Sequence, residues 1–413
     1  MRISLVQKIT NYILIFIIIA LSGFPFFYTY PLFKPVLMIS CSMALFVFFK
    51  RGKRLNKFFR NYLLVFFLLI VGQLIIFSFF PTFAFFGYLL RIILAFCVIK
   101  ITGKAFVDYY IKILYFFSLV SFFFFIPTVI SHDFEYFFTS HITPFFNLSS
   151  DPLNMYISTP NIIIFNFNSG LHDPGGQYIR NSGPFWEPGA FAGFIIIALI
   201  FNIIKTRKLL NIINFVFIIT IITTFSTTGY IALFLVTIFY YLQQVKSVIK
   251  YYILPLIVYV SFYAFYNLEF LNSKIEDSIQ TISTSSTSNR FVSALTDIKD
   301  LKKYWLLGRG FNVETRYDKL ALLMRETHRN NGITALMAQI GLIAAILYFY
   351  LIFKFFKRFC MANGFTPFFA YSSIIVVLTI GFSEGYFTRV VFIALTMLFI
   401  LFDEHVLKTK GPI

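Results

Sequence analysis

Three stretches of the chain gather side chains that could act on an anionic substrate. The first is R-N-S-G-P-F-W-E-P-G-A-F-A, Arg180 to Ala192. Pro188 suits the first turn of a helix, where its missing N–H costs nothing. Glu187 would then stand at the positive end of a helix dipole, which favours its ionised form. Gly183 and Pro184 permit a sharp approach to that helix. Two readings stay open here: an N-terminal cap with Trp186 as an interfacial anchor, or a functional carboxylate with Arg180 nearby. The second stretch runs from Ser288 to Phe311, S-N-R-F-V-S-A-L-T-D-I-K-D-L-K-K-Y-W-L-L-G-R-G-F. Ser288 or Asn289 could cap a helix. Arg290 would lie in its first turn, and Phe291, Leu295 and Ile298 on one apolar face. The third is R-E-T-H-R-N-N-G, Arg325 to Gly332. Its Arg325, His328 and Arg329 have helical spacing and gather near a helix N-terminus, a natural anion site. Arginine holds phosphate oxygens in a planar two-point clamp and stays charged. Histidine has the unperturbed pKa best suited to proton transfer near neutrality. The bland alternative is a surface His flanked by solubilising Arg.

The elements that must position these groups are set by composition. Of 413 residues, 59% are hydrophobic and 13% charged, and 60 are Phe. Such a chain is neither an ordinary soluble fold, nor disordered, nor a disulfide scaffold. Cys41, Cys97 and Cys360 have no paired metal spacing. Apolar runs long enough to cross the hydrocarbon layer, about 20 helical residues each, make it an all-α polytopic membrane protein forming a single integral domain. Twelve spans are expected, near 10–24, 32–49, 61–80, 83–99, 110–130, 188–204, 209–225, 229–245, 251–266, 332–353, 366–382 and 389–402. They must be helices, because an open strand would leave backbone groups unsatisfied in lipid.

The net charge of +18 sets the orientation. Lys50 to Arg60 forms a dense basic connection after two spans. The later clusters at Lys100 to Lys112, Lys205 to Lys208, Lys246 to Lys250, Lys354 to Arg358 and Lys408 to Lys410 fall on the same side if the spans alternate. That side is expected to be cytoplasmic, with both termini inside. Together with Arg2 and Lys8, the basic residues of these segments outnumber Asp108, Asp403 and Glu404 by the whole of the +18. The charge therefore speaks for membrane orientation and anionic lipid, and not for nucleic acid. The N-terminal apolar stretch reads as a retained helix in preference to a signal peptide. Two connections, 131–187 and 267–331, are long and fall outside; the second is expected to carry an amphipathic helix at the membrane surface. Arg91 lies inside the fourth span, where a central Arg costs roughly 2.5–3.5 kcal/mol and normally faces a partner or a wet cavity. Arg389, five residues after Glu384, reads as half of an interfacial ion pair.

Taken together, these stretches resemble the Wzy-type polysaccharide polymerases of the O-antigen polymerase and ligase superfamily. Arg180 to Ala192 is similar to an Arg-x-x-Gly-x-Phe-x-Glu-Pro-Gly stretch of such polymerases. Ser226-Thr227-Thr228-Gly229-Tyr230 also resembles a polymerase stretch. Arg290 with W-L-L-G-R-G-F, and His328 to Gly341, resemble the superfamily's Arg…Gly-x-Gly and His-Asn…Gly segments. The resemblance covers roughly 180–345. Ligases of the superfamily usually carry an Arg where this chain has the Ser226–Gly229 turn, which favours polymerase and leaves Arg180 and Arg91 as candidates for that role. What the resemblance implies is a type C glycosyltransferase fold of about twelve helices in a bacterial cytoplasmic membrane. It would join undecaprenyl-diphosphate-linked oligosaccharide repeats at the outer face, in making O-antigen, capsule or exopolysaccharide. His328, or else Glu187, would be catalytic, and Arg180, Arg290, Arg91, Arg329 and Arg325 would bind substrate. Membrane lipids and a chain-length regulator protein are the expected partners. No cofactor or metal is expected. An O-antigen ligase, or a lipid-linked oligosaccharide flippase, is the rival reading.

Overall fold

The computed structural model describes residues 4–28, 32–146, 160–167, 179–244, 290–317, 329 and 331–402. These are almost wholly helical. In chain order the helices are α1 (Leu5–Gly23), α2 (Pro25–Tyr28), α3 (Phe33–Lys50), α4 (Lys57–Phe77), α5 (Thr82–Thr102), α6 (Phe106–Ile130), α7 (His132–Phe137), α8 (Pro188–Thr206), α9 (Ile212–Thr223) and α10 (Thr227–Gln244). They continue with α11 (Arg290–Lys303), α12 (Val313–Arg316), α13 (Gly332–Ile340), α14 (Leu342–Ala362), α15 (Pro367–Ser383) and α16 (Val390–Leu395). Among the described residues, five helical segments are long and apolar enough to cross a membrane: α1, α3, α4, the stretch 82–130 that holds α5 and α6, and α8. The chain is thus a helical protein of membrane type. Of the remaining expected spans, 209–225 and 366–382 are apolar helices of fewer than 18 residues. The span at 389–402 is a short α-helix followed by a 3₁₀ turn, Leu398–Leu401. That at 332–353 is broken at Gly341, and that at 251–266 lies outside the described residues.

At the centre stands α8. Its sequence is apolar on every face, and such a helix belongs inside a bundle rather than at its edge. From Ala190 to Ile204 nearly every side chain is buried. It packs against α6, α9 and α10, and the segment between α15 and α16 crosses its first turns. There Tyr386 is fully buried and donates its hydroxyl to the carbonyl of Gly189 at 2.9 Å. This crossing depends on Gly193, because a Cβ at that position would lie 2.1 Å from the Tyr386 hydroxyl oxygen.

By contrast, α4 sits at the edge, with Leu64, Leu68 and Ile75 exposed. It meets the bundle through rings, Phe59 stacking on Phe96 and Phe66 on Phe85, and through one amide. Gln73 Nε2 donates to the carbonyls of Leu307 at 2.6 Å and Gln339 at 2.9 Å. The reason lies in α13. Gly341, at φ +80°, breaks the helix, and a break strands the last carbonyls of the turn before it. Those of Ala338 and Gln339 are taken up by the backbone N–H groups of Arg309 and Gly310 and by Gln73. The Gly308–Gly310 turn, generic in sequence, thus docks the long second connection onto the bundle.

The first connection is also tied down where it is described. Residues 161–162 and 165–166 pair as a small antiparallel hairpin. Asn166 in it holds the carbonyls of Phe185 and Trp186. Asn181 is fully buried, donating to Ser121 and Thr223 and accepting from Gly183 N–H. These bonds fix the entry of the chain into α8.

Gly193→Ala should therefore push Tyr386 off α8 and lower stability by about 1–3 kcal/mol, the usual cost of overpacking. Thermal unfolding of the purified protein in detergent measures it; an unchanged melting temperature would mean that the 384–389 segment does not rest on α8.

Candidate functional site

At the end of the bundle where α8 begins and α15 ends, three segments distant in sequence converge. α8 contributes Glu187 as its N-cap and Pro188 as its first residue. The placement of Pro188 is the one its chemistry favours. Glu187, however, makes no capping hydrogen bond. Its Oε1 instead accepts from Trp186 Nε1 at 3.1 Å. Its carboxyl also shares a hydrogen bond with that of Glu384, the residue that ends α15. The cap reading of Glu187 therefore gives way to a carboxyl pair.

Gly189 makes room for that pair. A Cβ there would stand 3.2 Å from Glu384 Oε1 and 3.6 Å from Ser226 Oγ, so the Ser226–Tyr230 turn joins the same neighbourhood. Arg290, first residue of α11, closes the cluster from above. Its Nη2 lies 3.5 Å from Glu384 Oε1, and its Nε donates to the carbonyl of Ser383 at 3.1 Å. The Arg290 side chain is 46% exposed while that of Glu384 is 10% exposed. One edge of the guanidinium is thus engaged and the other faces outward, as an anion-binding Arg requires.

Two carboxyls in contact cannot both ionise cheaply. Burial, first of all, and then the neighbouring Glu187 push the Glu384 carboxyl well above the ordinary range; Arg290 pulls the other way and is outweighed. Glu384 is accordingly the carboxyl whose protonated form the fold favours. The ring of Trp186 carries the guanidinium of Arg389 at 4.9 Å, and Tyr386 packs against the same ring.

The other expected site residues lie in different places. Arg180 lies beside the Ser226–Tyr230 turn, its Nε donating to the carbonyl of Thr224 at 3.1 Å and its charge reaching Tyr230. Arg91 stacks between Phe33 and Tyr88 at 4.9 Å from each ring and donates to the carbonyl of Thr388 at 3.1 Å. It borders the Glu384–Arg389 segment on the side away from the carboxyl pair. Arg329 belongs to a second cluster, 3.8 Å from Asp297 and over the ring of Tyr317. His328 and Arg325 lie outside the described residues.

That second cluster is a buried ion network. Asp297 meets Arg316 and accepts from Thr334 at 2.9 Å, while Asp300 takes Arg316 at 2.8 Å and Arg309 at 2.6 Å. Burial raises the Asp297 pKa, and the two Arg beside it oppose the rise. The network turns the polar side of α11 inward, with Ser293 and Asp297 buried, and leaves Leu295 and Ile298 exposed. Leu295 and Ile298, of the apolar stripe expected on this helix, therefore face away from the protein. Its position suits a membrane surface. Removing one partner from such a network leaves a buried charge uncompensated, and the network anchors the helix whose first residue is Arg290.

Sequence reading missed Glu384. The five-residue spacing points it toward Arg389, whereas its salt bridge runs to Arg290. The available signal was a carboxylate immediately after an apolar span, in a chain with few acidic residues. Comparison with models of known families, with curated proteins and with solved structures gives no match for the chain.

Because the fold raises the Glu384 pKa, it favours the protonated carboxyl. The resulting stability is complete below the ordinary carboxyl pKa and is lost as pH rises through the raised value. Glu384→Gln mimics the protonated form. It should flatten that dependence and melt above wild type at alkaline pH. Melting curves across a pH series decide this, and identical slopes for both proteins would mean that Glu384 is ionised in the fold.

Proposed function

We propose that this protein is a glycan polymerase of the outer face of the cytoplasmic membrane, built on about twelve spans with both termini inside. It transfers a growing oligosaccharide from a polyisoprenyl diphosphate carrier to a sugar hydroxyl on an incoming lipid-linked repeat. The observation that supports this reading most is the half-exposed Arg290 held over a buried carboxyl pair at one end of the helix bundle. An anion site and a proton acceptor side by side are what the reaction requires.

The hydroxyl oxygen attacks the anomeric carbon of the donor sugar. The bond from that carbon to the diphosphate oxygen breaks, and its electron pair leaves with the diphosphate. Diphosphate is already a good leaving group, so the protein must neutralise its charge, align two lipid-linked reactants and accept one proton. Fixed Arg groups serve the first need, since donors aimed at developing charge contribute several kcal/mol in a water-poor site. Arg290 and Arg180 serve it in this reading, with Arg91 of α5 and Arg325 and Arg329 of the second connection as further basic groups. Anchoring both reactants in one bilayer serves the second need. The proton passes to His328, or to Glu187 backed by Glu384.

His328→Ala should abolish chain extension at unchanged protein abundance. Arg290→Lys should lose about 10²-fold or more in rate, because a lysine keeps the charge but not the planar clamp. Reconstitution with a defined lipid-linked repeat, read as a product ladder, tests both. Near-normal polymer from His328→Ala would remove that residue from the chemistry, and full rescue by lysine would reduce Arg290 to simple electrostatic attraction. In cells, deletion should leave single-repeat glycan at the surface; accumulation of the repeat inside would instead mark a flippase.

A further inference from the structure

The Glu384–Arg389 segment has two sides, and the carboxyl pair occupies only one. On the other side Phe387 and Thr388 line an apolar cavity of about 200 Å³. Its long walls are α4, with Tyr62, Val65 and Leu69, and α14, with Ala344, Leu347 and Leu351. Val65 and Leu347 are themselves exposed at the edge of the bundle. The cavity is therefore a groove that opens sideways, toward the layer that α4 faces with Leu64 and Leu68. In a membrane such a groove fills with a hydrocarbon chain, since an empty one forfeits contact on one side.

The end of the groove at Tyr88 and Thr388 is not apolar. Arg91 stands there, one turn along α5 from Tyr88 and bonded to the Thr388 carbonyl. Its Nε is buried with no hydrogen-bond partner, and among the described residues no carboxylate forms a salt bridge with it. A partly buried guanidinium at membrane depth is costly unless an anion meets it. A chain in the groove whose head carries phosphate would supply that anion.

We infer that this groove binds the isoprenoid chain of the diphosphate carrier, with its phosphate end at Arg91. The inference rests on the polymerase reading for the identity of the lipid. A carrier seated this way has its head at the Thr388 end of the same segment whose other end bears Glu384 beneath Arg290. A bulk phospholipid in the groove would occupy that approach without presenting a sugar. The isoprenoid chain is thus the occupant that the neighbouring site can use.

The test uses the purified full-length protein in neutral phosphatidylcholine nanodiscs, with farnesyl diphosphate bearing a benzophenone on its terminal isoprene as probe. Photolabel should fall on α4 and α14 and be displaced by undecaprenyl diphosphate. Leu347→Trp, at an exposed position, should weaken capture by about tenfold, and Arg91→Gln should do the same. Should either variant fail to fold, Val65→Trp blocks the groove from its facing wall. Label spread evenly over the lipid-facing helices, or displaced equally by phosphatidylglycerol, overturns the inference. So does displacement by inorganic diphosphate alone, which would make the site one for the head and not the chain. Wild-type protein that takes the label in the groove yet yields no product ladder would refute the polymerase reading and leave a lipid site. A normal ladder with label elsewhere would refute the groove only.

Discussion

The architecture around the site turns on one cost: a carboxyl group taken out of water must be neutralised, paired or protonated. Glu384 meets that cost in all three ways at once. Its protonated form is favoured, it shares a hydrogen bond with a second carboxyl, and a guanidinium lies alongside. Each arrangement demands a particular backbone. Glu187 must be delivered by a helix starting at Pro188, Gly189 must leave room, and Arg290 must arrive from a connection almost a hundred residues earlier in the chain. The buried α8 serves as the fixed post against which the other segments are set.

The second charge network is a consequence of the first. Arg290 begins a helix that would otherwise have no reason to turn its polar face to the bundle. Asp297 and Asp300 supply that reason by meeting Arg316, Arg309 and Arg329 in a buried set. Such a network adds little net stability compared with an apolar core of the same shape. What it adds is register: α11 can rotate only by breaking several charge-assisted bonds together. Arg329, a candidate phosphate ligand by spacing, works from within this frame and sets the pose of a helix whose first residue faces the site.

Much of this was legible in the sequence and some was not, for identifiable reasons. Helix positions followed from apolar runs, and the start of α8 followed from Glu187-Pro188-Gly189 because capping chemistry is local. The separate roles of Arg180 and Arg290 were visible as basic residues beside special turns. The break at Gly341 was hidden inside a continuous apolar run, since hydropathy does not sense backbone direction. The Glu187–Glu384 pair was hidden for another reason. Its members are almost two hundred residues apart, and nearness in sequence pointed Glu384 toward Arg389 instead. Local rules find the ends of elements; only packing decides which ends meet.

Gln73 carries a consequence of its own. Its amide ties one end of α4 to the carbonyls stranded by the break in α13, while the rest of α4 leans on the bundle through stacked rings. Ring stacks can slide, whereas a doubly bonded amide in a low-dielectric setting cannot be exchanged for water. The helix is therefore pinned at one end and compliant along its length, like a reed fixed in its socket. Lateral pressure and bilayer thickness act on the free length, so the width beside α14 becomes a mechanical quantity set jointly by protein and membrane.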